Sequence, residues 1–154
     1  MFKYFWKHCS NTPLYAVIFA NSLKVHDKIG SFSLTDQFDR IHTIKSDVST
    51  IIVCFQKETL ELINGFLSSK NIDFLQKTHT VFVSNISSTP VIITKLFTIP
   101  KLRDYKYDIL LIYDENNIKF LKQEDKASVY SILNGEISNI SYVSTNNELE
   151  NIFK

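Results

Sequence analysis

The run IIVCFQKETLELINGFL, from Ile51 to Leu67, constrains the fold more than any other stretch of the chain. Ile51 to Phe55 are all apolar, so a strand made from them turns hydrophobic side chains to both faces and is stable only inside a covered sheet. From Lys57 to Ser68 the apolar residues then fall at helical spacing. Leu60, Ile63 and Leu67 share one face, and Leu62 and Phe66 widen the stripe. Gly65 weakens that helix slightly. An internal strand running straight into an amphipathic helix is the start of a layered α/β domain.

The rest of the chain supplies neighbours for such a strand. FSLTDQFDRIHTI alternates apolar and polar positions around a polar centre, which predicts a hairpin over Phe32–Ile44, with the next strand at Thr50–Phe55. Thr80–Ile86 is a second apolar strand rich in β-branched residues. Ser88 or Thr89 before Pro90 reads as a cap and first-turn proline, opening a helix to about Ile99. YDILLIY, Tyr107–Tyr113, is a third apolar strand, ended by the turn sequence DENN. Asn134-Gly135 between Ser128–Leu133 and Glu136–Val143 is the strongest hairpin signal, and Thr145 caps a last helix to Phe153. This order implies a mixed sheet with helices on both faces, and 154 residues suit one domain.

Composition excludes more than it assigns. Seventeen Lys+Arg against sixteen Asp+Glu give a net charge of +1, so no broad field steers the protein to nucleic acid or an anionic membrane. The two cysteines, Cys9 and Cys54, belong to no C-x-x-C or zinc-type cluster. Cys54, inside an apolar strand, reads as a small buried hydrophobe rather than a reactive thiol. His8, His26, His42 and His79 have no ligand spacing, so neither a metal nor a haem site is predicted. No G-x-S-x-G, P-loop, G-x-G-x-x-G or H-E-x-x-H occurs, and KETLE and KQEDK read as solvated faces rather than acid/base pairs.

Residues 1–20 have the anatomy of a secretory leader: Lys3 and Lys7, an apolar stretch Leu14–Ala20, then polar NSLK, with cleavage expected after Ala20. The competing reading is an amphipathic N-terminal extension on a cytoplasmic protein. No segment reaches the roughly 18 apolar residues of a transmembrane helix. Export would place the protein in the periplasm or an equivalent compartment.

The succession of strand Thr50–Phe55, helix Lys57–Ser68, strand Thr80–Ile86, helix Thr89–Ile99, hairpin Ser128–Val143 and helix Thr145–Phe153 resembles the thioredoxin-like superfamily. The opening IGSFSLTDQFDRIHTI is similar to the N-terminal hairpin of its peroxiredoxin-like and thiol-oxidoreductase branches. The resemblance covers a single domain from about Ile29 to the end of the chain, with Tyr107–Tyr113 as an extra strand. It implies that Leu60 and Ile63 stand where the family has its two cysteines and that Ala127 stands where it has its cis-proline. Thiol chemistry needs a thiolate at a helix N-terminus beside a resolving thiol or base, so the family's reaction is expected to be absent.

Two segments leave alternatives open. VIITKLFTI after Pro90 is apolar nearly all round, which means burial on two sides, the favoured reading, or a partner face presented by Ile92, Ile93 and Phe97. In PKLRDYKYD, Lys101, Arg103 and Lys106 alternate with Tyr105 and Tyr107. That pattern suits anion binding, but a loop covering the sheet edge is favoured. The expected function is a redox-inactive binding or accessory module for another protein, with no cofactor. An oxidoreductase carrying flavin or haem and a structural partner subunit are the competitors.

Overall fold

The computed structural model describes residues 21–115 and 118–154, so the leader expected over residues 1–20, including Cys9, lies outside the described residues. Seven strands form one mixed sheet: β1 (Phe32–Asp36), β2 (Ile41–Ile44), β3 (Thr50–Cys54), β4 (Thr80–Asn85), β5 (Leu110–Ile112), β6 (Ala127–Leu133) and β7 (Glu136–Val143). Their spatial order is β2-β1-β5-β4-β3-β6-β7. β3 is parallel to β4 and antiparallel to β6, and every one of its residues is buried, as its unbroken apolar sequence requires. The hairpin β1–β2 joins the sheet through β5, and β6–β7 turns at Asn134 and Gly135, whose φ values of 53° and 76° suit this dipeptide.

The helices are α1 (Lys57–Ser68), α2 (Phe74–Lys77), α3 (Val91–Ile93), α4 (Ile99–Leu102) and α5 (Asn146–Ile152), with a π turn over Thr94–Thr98 joining α3 to α4. α1 buries Leu60, Ile63, Phe66 and Leu67, the predicted stripe. α5 opens with a capping box between Thr145 and Glu148. The short α2 was not predicted, because four residues carry no usable periodicity.

The expectation of helices on both faces is corrected. Buried residues of α1, α4 and α5 all join one cluster with Ile52, Phe82 and Val129, and Phe74 and Leu75 of α2 pack against it. The opposite face, centred on Ile51, Val53, Val83 and Tyr130, has no described helix. Loops cover it instead: Ile29 and Leu23 from one side, Phe120 and Ile118 from the other. The two loops are tied together by Leu23 N donating to Lys119 O at 3.0 Å, and Tyr130 Oη accepts from Leu121 N at 2.7 Å.

Three further differences have local causes. The strand expected over Tyr107–Tyr113 shrinks to Leu110–Ile112, because the buried Gln37 side chain takes over the backbone partners before it. Its Nε2 donates to Tyr107 O at 2.9 Å and its Oε1 accepts from Ile109 N at 2.8 Å. The helix after Pro90 runs on to Leu102 through the π turn. Pro100 cannot donate to Leu96 O and would crowd it, and the chain widens just before it, with Ile99 N bonding Thr94 O. Finally, this helix is not buried on two sides: Val91, Ile92, Leu96 and Phe97 are 68%, 71%, 63% and 65% exposed, and Ile93 is 43% exposed.

Candidate functional site

The carboxyl ends of β3 and β4 lie beside each other, and both connections that leave them are helical, which opens a crevice of the kind that parallel strands offer to ligands. α1 begins there. Gln56 is its N-cap residue in extended conformation (φ −137°, ψ 157°) and gives no side-chain cap. The first helical hydrogen bond is donated by Leu60 N to Gln56 O at 3.0 Å, so the amides of Lys57, Glu58 and Thr59 have no partner within the helix. The Gln56 side chain reaches away instead, and its Oε1 accepts from Asp125 N at 2.9 Å. That bond fastens the loop preceding β6 to the head of α1.

Beside this point lies a cleft of ≈ 450 Å³. α1 contributes Lys57 and Leu60, β4 contributes Ser84, and Phe97, Lys101 and Leu102 close it from the segment after Pro90. Cys54 is next to Ser84 in the strand register but is only 1% exposed. Burial pushes its thiol up to about 12, against a small opposing effect of the hydrogen bond with Thr59.

No protein-family model matches the chain, and no curated protein matches it in sequence. Solved structures do. The thioredoxin domain of a thiol-disulfide oxidoreductase from Bacteroides vulgatus superposes with a TM-score of 0.53 over 86% of this chain and 100% of its own, at 12% identity. The fold is thioredoxin-like. A peroxiredoxin-like protein from Aquifex aeolicus gives a TM-score of 0.52 at 9% identity, covering 86% of this chain and 87% of its own. StoA from Bacillus subtilis gives 0.52 at 12% identity over 82% and 98% of the two chains. At such identities the likeness concerns the thioredoxin-like architecture alone.

Within this thioredoxin-like frame, Leu60 and Ile63 lie in the buried stripe of α1, 7% and 0% exposed. Ala127 is the fully buried first residue of β6, two positions after the Asp125 amide held by Gln56. Ile92, Ile93 and Phe97 share the exposed segment after Pro90, and Phe97 is the one of the three that reaches the cleft.

The three cations near Pro100 are not brought together. Lys101 Nζ lies 3.0 Å from Glu61 Oε1 of α1, whereas Arg103 Nε donates to Gln37 O at 2.8 Å in the β1–β2 turn. Lys106 lines a separate depression formed with Asn71 and Phe74. Tyr105 and Tyr107 stack on each other, with centroids 5.9 Å apart, and pack on the helix-side core. The edges of the sheet are β2 and β7, and Lys106 and Tyr107 of this loop share a depression with His42, Thr43 and Ile44 of β2.

Among the described residues, Asp36, His42 and Asp108 form the one group with metal-ligand proximity. The chain supplies its own cation there: Arg40 places Nε 2.8 Å from Asp36 Oδ2 and Nη2 2.6 Å from Asp108 Oδ1. The sequence reading missed Gln56 and Ser84. Gln56 carried a faint signal as the first polar residue after an internal strand, while Ser84 carried none.

Proposed function

We propose that this chain is a redox-inactive thioredoxin-like module that binds a protein partner through the apolar face following Pro90. The observation that supports this reading is the exposure of Val91, Ile92, Leu96 and Phe97 on one short helical segment at the mouth of the cleft. Contiguous exposed side chains of this size mark interaction surfaces, because their burial against a partner releases water at about 25 cal/mol per Å². The lack of redox chemistry is supported by apolar Leu60 and Ile63 in α1 and by the burial of Cys54. Export belongs to the same reading and rests on Lys3, Lys7 and the apolar stretch Leu14–Ala20. No described helix is long and apolar enough to cross a membrane.

The test is affinity purification of the full chain from its native host, compared with Ile92→Asp, alongside disulfide-reductase and peroxidase assays. The reading requires a partner retained by the wild type and lost by Ile92→Asp, unchanged thermal unfolding, and no turnover in either assay. Visible absorption from a bound flavin or haem would replace it with cofactor-borne redox chemistry. Intact mass of the native protein decides export: a mature N-terminus at Asn21 supports it, and a retained Met1 in a cytosolic fraction removes it.

A further inference from the structure

The depression that holds Lys106, Asn71 and Phe74 shares no lining residue with the cleft at the head of α1 or with the apolar face after Pro90, and neither explains its chemistry. Its volume is ≈ 370 Å³. α1 contributes Asn64 and Leu67, α2 contributes Phe74 and Leu75, and residues 104–107 complete the lining. Tyr105 and Tyr107 meet it as a stacked pair, their planes 22° apart. Tyr107 Oη donates to Asn64 Oδ1, which fixes that carboxamide and leaves its Nδ2 protons for a ligand. The side chains of Asn71, Asp104 and Lys106 are exposed and bond to no described residue.

Charge and lining together narrow the ligand. Lys70, the other cation of the lining, has Nζ 2.5 Å from Glu150 Oε1, and Asp104 offsets Lys106, so an ion finds no net countercharge. The ligand is therefore neutral. A flat aromatic molecule would use the tyrosines but leave the two carboxamides, Asp104 and Lys106 to water. A short polyol would use those polar groups and leave Leu67, Phe74 and the tyrosine pair bare. A sugar ring meets both requirements, because its hydroxyls donate and accept around the rim while its C–H face, partly positive, suits the negative face of an aromatic ring.

We infer that this depression binds a neutral pyranose, whose hydroxyls donate to Asp104 and accept from Asn64, Asn71 and Lys106, and whose C–H face lies against the Tyr105–Tyr107 pair. The volume is within the range of small-ligand sites. The site goes beyond the proposed partner binding and does not depend on it, since Ile92 takes no part in its lining.

Amide ¹H–¹⁵N spectra of the full chain test the assignment, with the methyl glycosides of glucose, galactose, mannose and N-acetylglucosamine titrated singly. Cyclohexanol, glycerol and N-acetylalanine methylamide are the controls: a ring without the polyol, a polyol without the ring, and a peptide. At least one glycoside should give saturable shifts at Asn64, Asn71 and residues 104–107, with every control weaker by about tenfold or more. Asp104→Asn should weaken that glycoside by about tenfold and Asn71→Ala by about fivefold, each with a folded spectrum, because both side chains are exposed. Ile92→Asp should leave glycoside binding unchanged whether or not it loses a protein partner, which separates this site from the partner reading. Shifts from none of the four glycosides, or shifts confined to other residues, overturn the proposal. So does a control that binds as tightly as the best glycoside, or wild-type affinity in both folded variants.

Discussion

Cys54 and Ser84 are paired neighbours in the parallel register of β3 and β4, so the described thiol of this chain lies inside the sheet rather than at the head of α1. Its ionisation is opposed by burial, which pushes it up to about 12. Native protein should therefore fail to react with thiol reagents at neutral pH on a timescale on which the urea-unfolded chain reacts fully, and Cys54→Ser should behave like wild type in disulfide-reductase assays. The linkage has a definite sign. A thiol raised from 9.0 stays protonated in the fold while the unfolded chain ionises, so its contribution is intact below 9.0 and declines as pH rises towards 12. Rapid labelling of folded protein, or turnover abolished by Cys54→Ser, would contradict this.

Leu60 and Ile63 should behave as core residues. Ile63 is fully buried and Leu60 is 7% exposed, both in the cluster that joins α1 to the sheet. Truncation to alanine should cost about 2 to 4 kcal/mol at each site through lost transfer energy and the cavity left behind, with Ile63→Ala the larger. Urea denaturation measures it. A cost below about 1 kcal/mol at Ile63 would mean that α1 packs differently.

Gly65 lies in the interior of α1, and an added Cβ there would meet nothing within 4 Å. Gly65→Ala should accordingly stabilise the protein by about 0.5 to 1 kcal/mol, since alanine restricts the unfolded chain and creates no clash. A raised melting temperature checks the sign. Destabilisation would point to a partner or a second copy packed closely on that face.

The contrast between what pattern revealed and what it did not has a physical basis. β3, α1, the Asn134-Gly135 turn and the Thr145 cap depend on local periodicity and local hydrogen bonding, which a single sequence displays directly. Gln37 could not be read in this way: a polar residue in a turn looks solvated, yet it is 1% exposed and substitutes for a strand by bonding the backbone on either side of Asp108. The segment after Pro90 failed for another reason, because an apolar helix has the same pattern whether it is enclosed or bare. Ser84 became visible only when the sheet had placed it in one cleft wall with Lys57 and Leu60 of α1.

The tip of the β1–β2 hairpin should make the fold sensitive to acid. Asp36 is fully buried, and burial alone would raise its pKa. The opposing contacts prevail: His42 Nε2 lies 2.7 Å from Oδ2, the amides of Arg40 and Phe38 donate to Oδ1 at 3.0 and 2.8 Å, and Arg40 Nε donates to Oδ2 at 2.8 Å. Together they hold the carboxyl below its ordinary 3.8. A depressed folded pKa means that the contribution is fully present above 3.8 and disappears as pH falls through the folded value, where the native carboxylate must also take a proton. Asp36→Asn keeps an acceptor for the two amides but loses the charge facing Arg40 and His42. It should cost about 1 to 3 kcal/mol at neutral pH, because Arg40 remains half-exposed and can be rehydrated. Urea unfolding of both proteins down a pH series is the measurement: the gap between them should narrow as pH drops below 3.8. A gap that stays constant into strong acid would show that the carboxylate charge contributes nothing and that the hairpin depends on the two amide bonds alone.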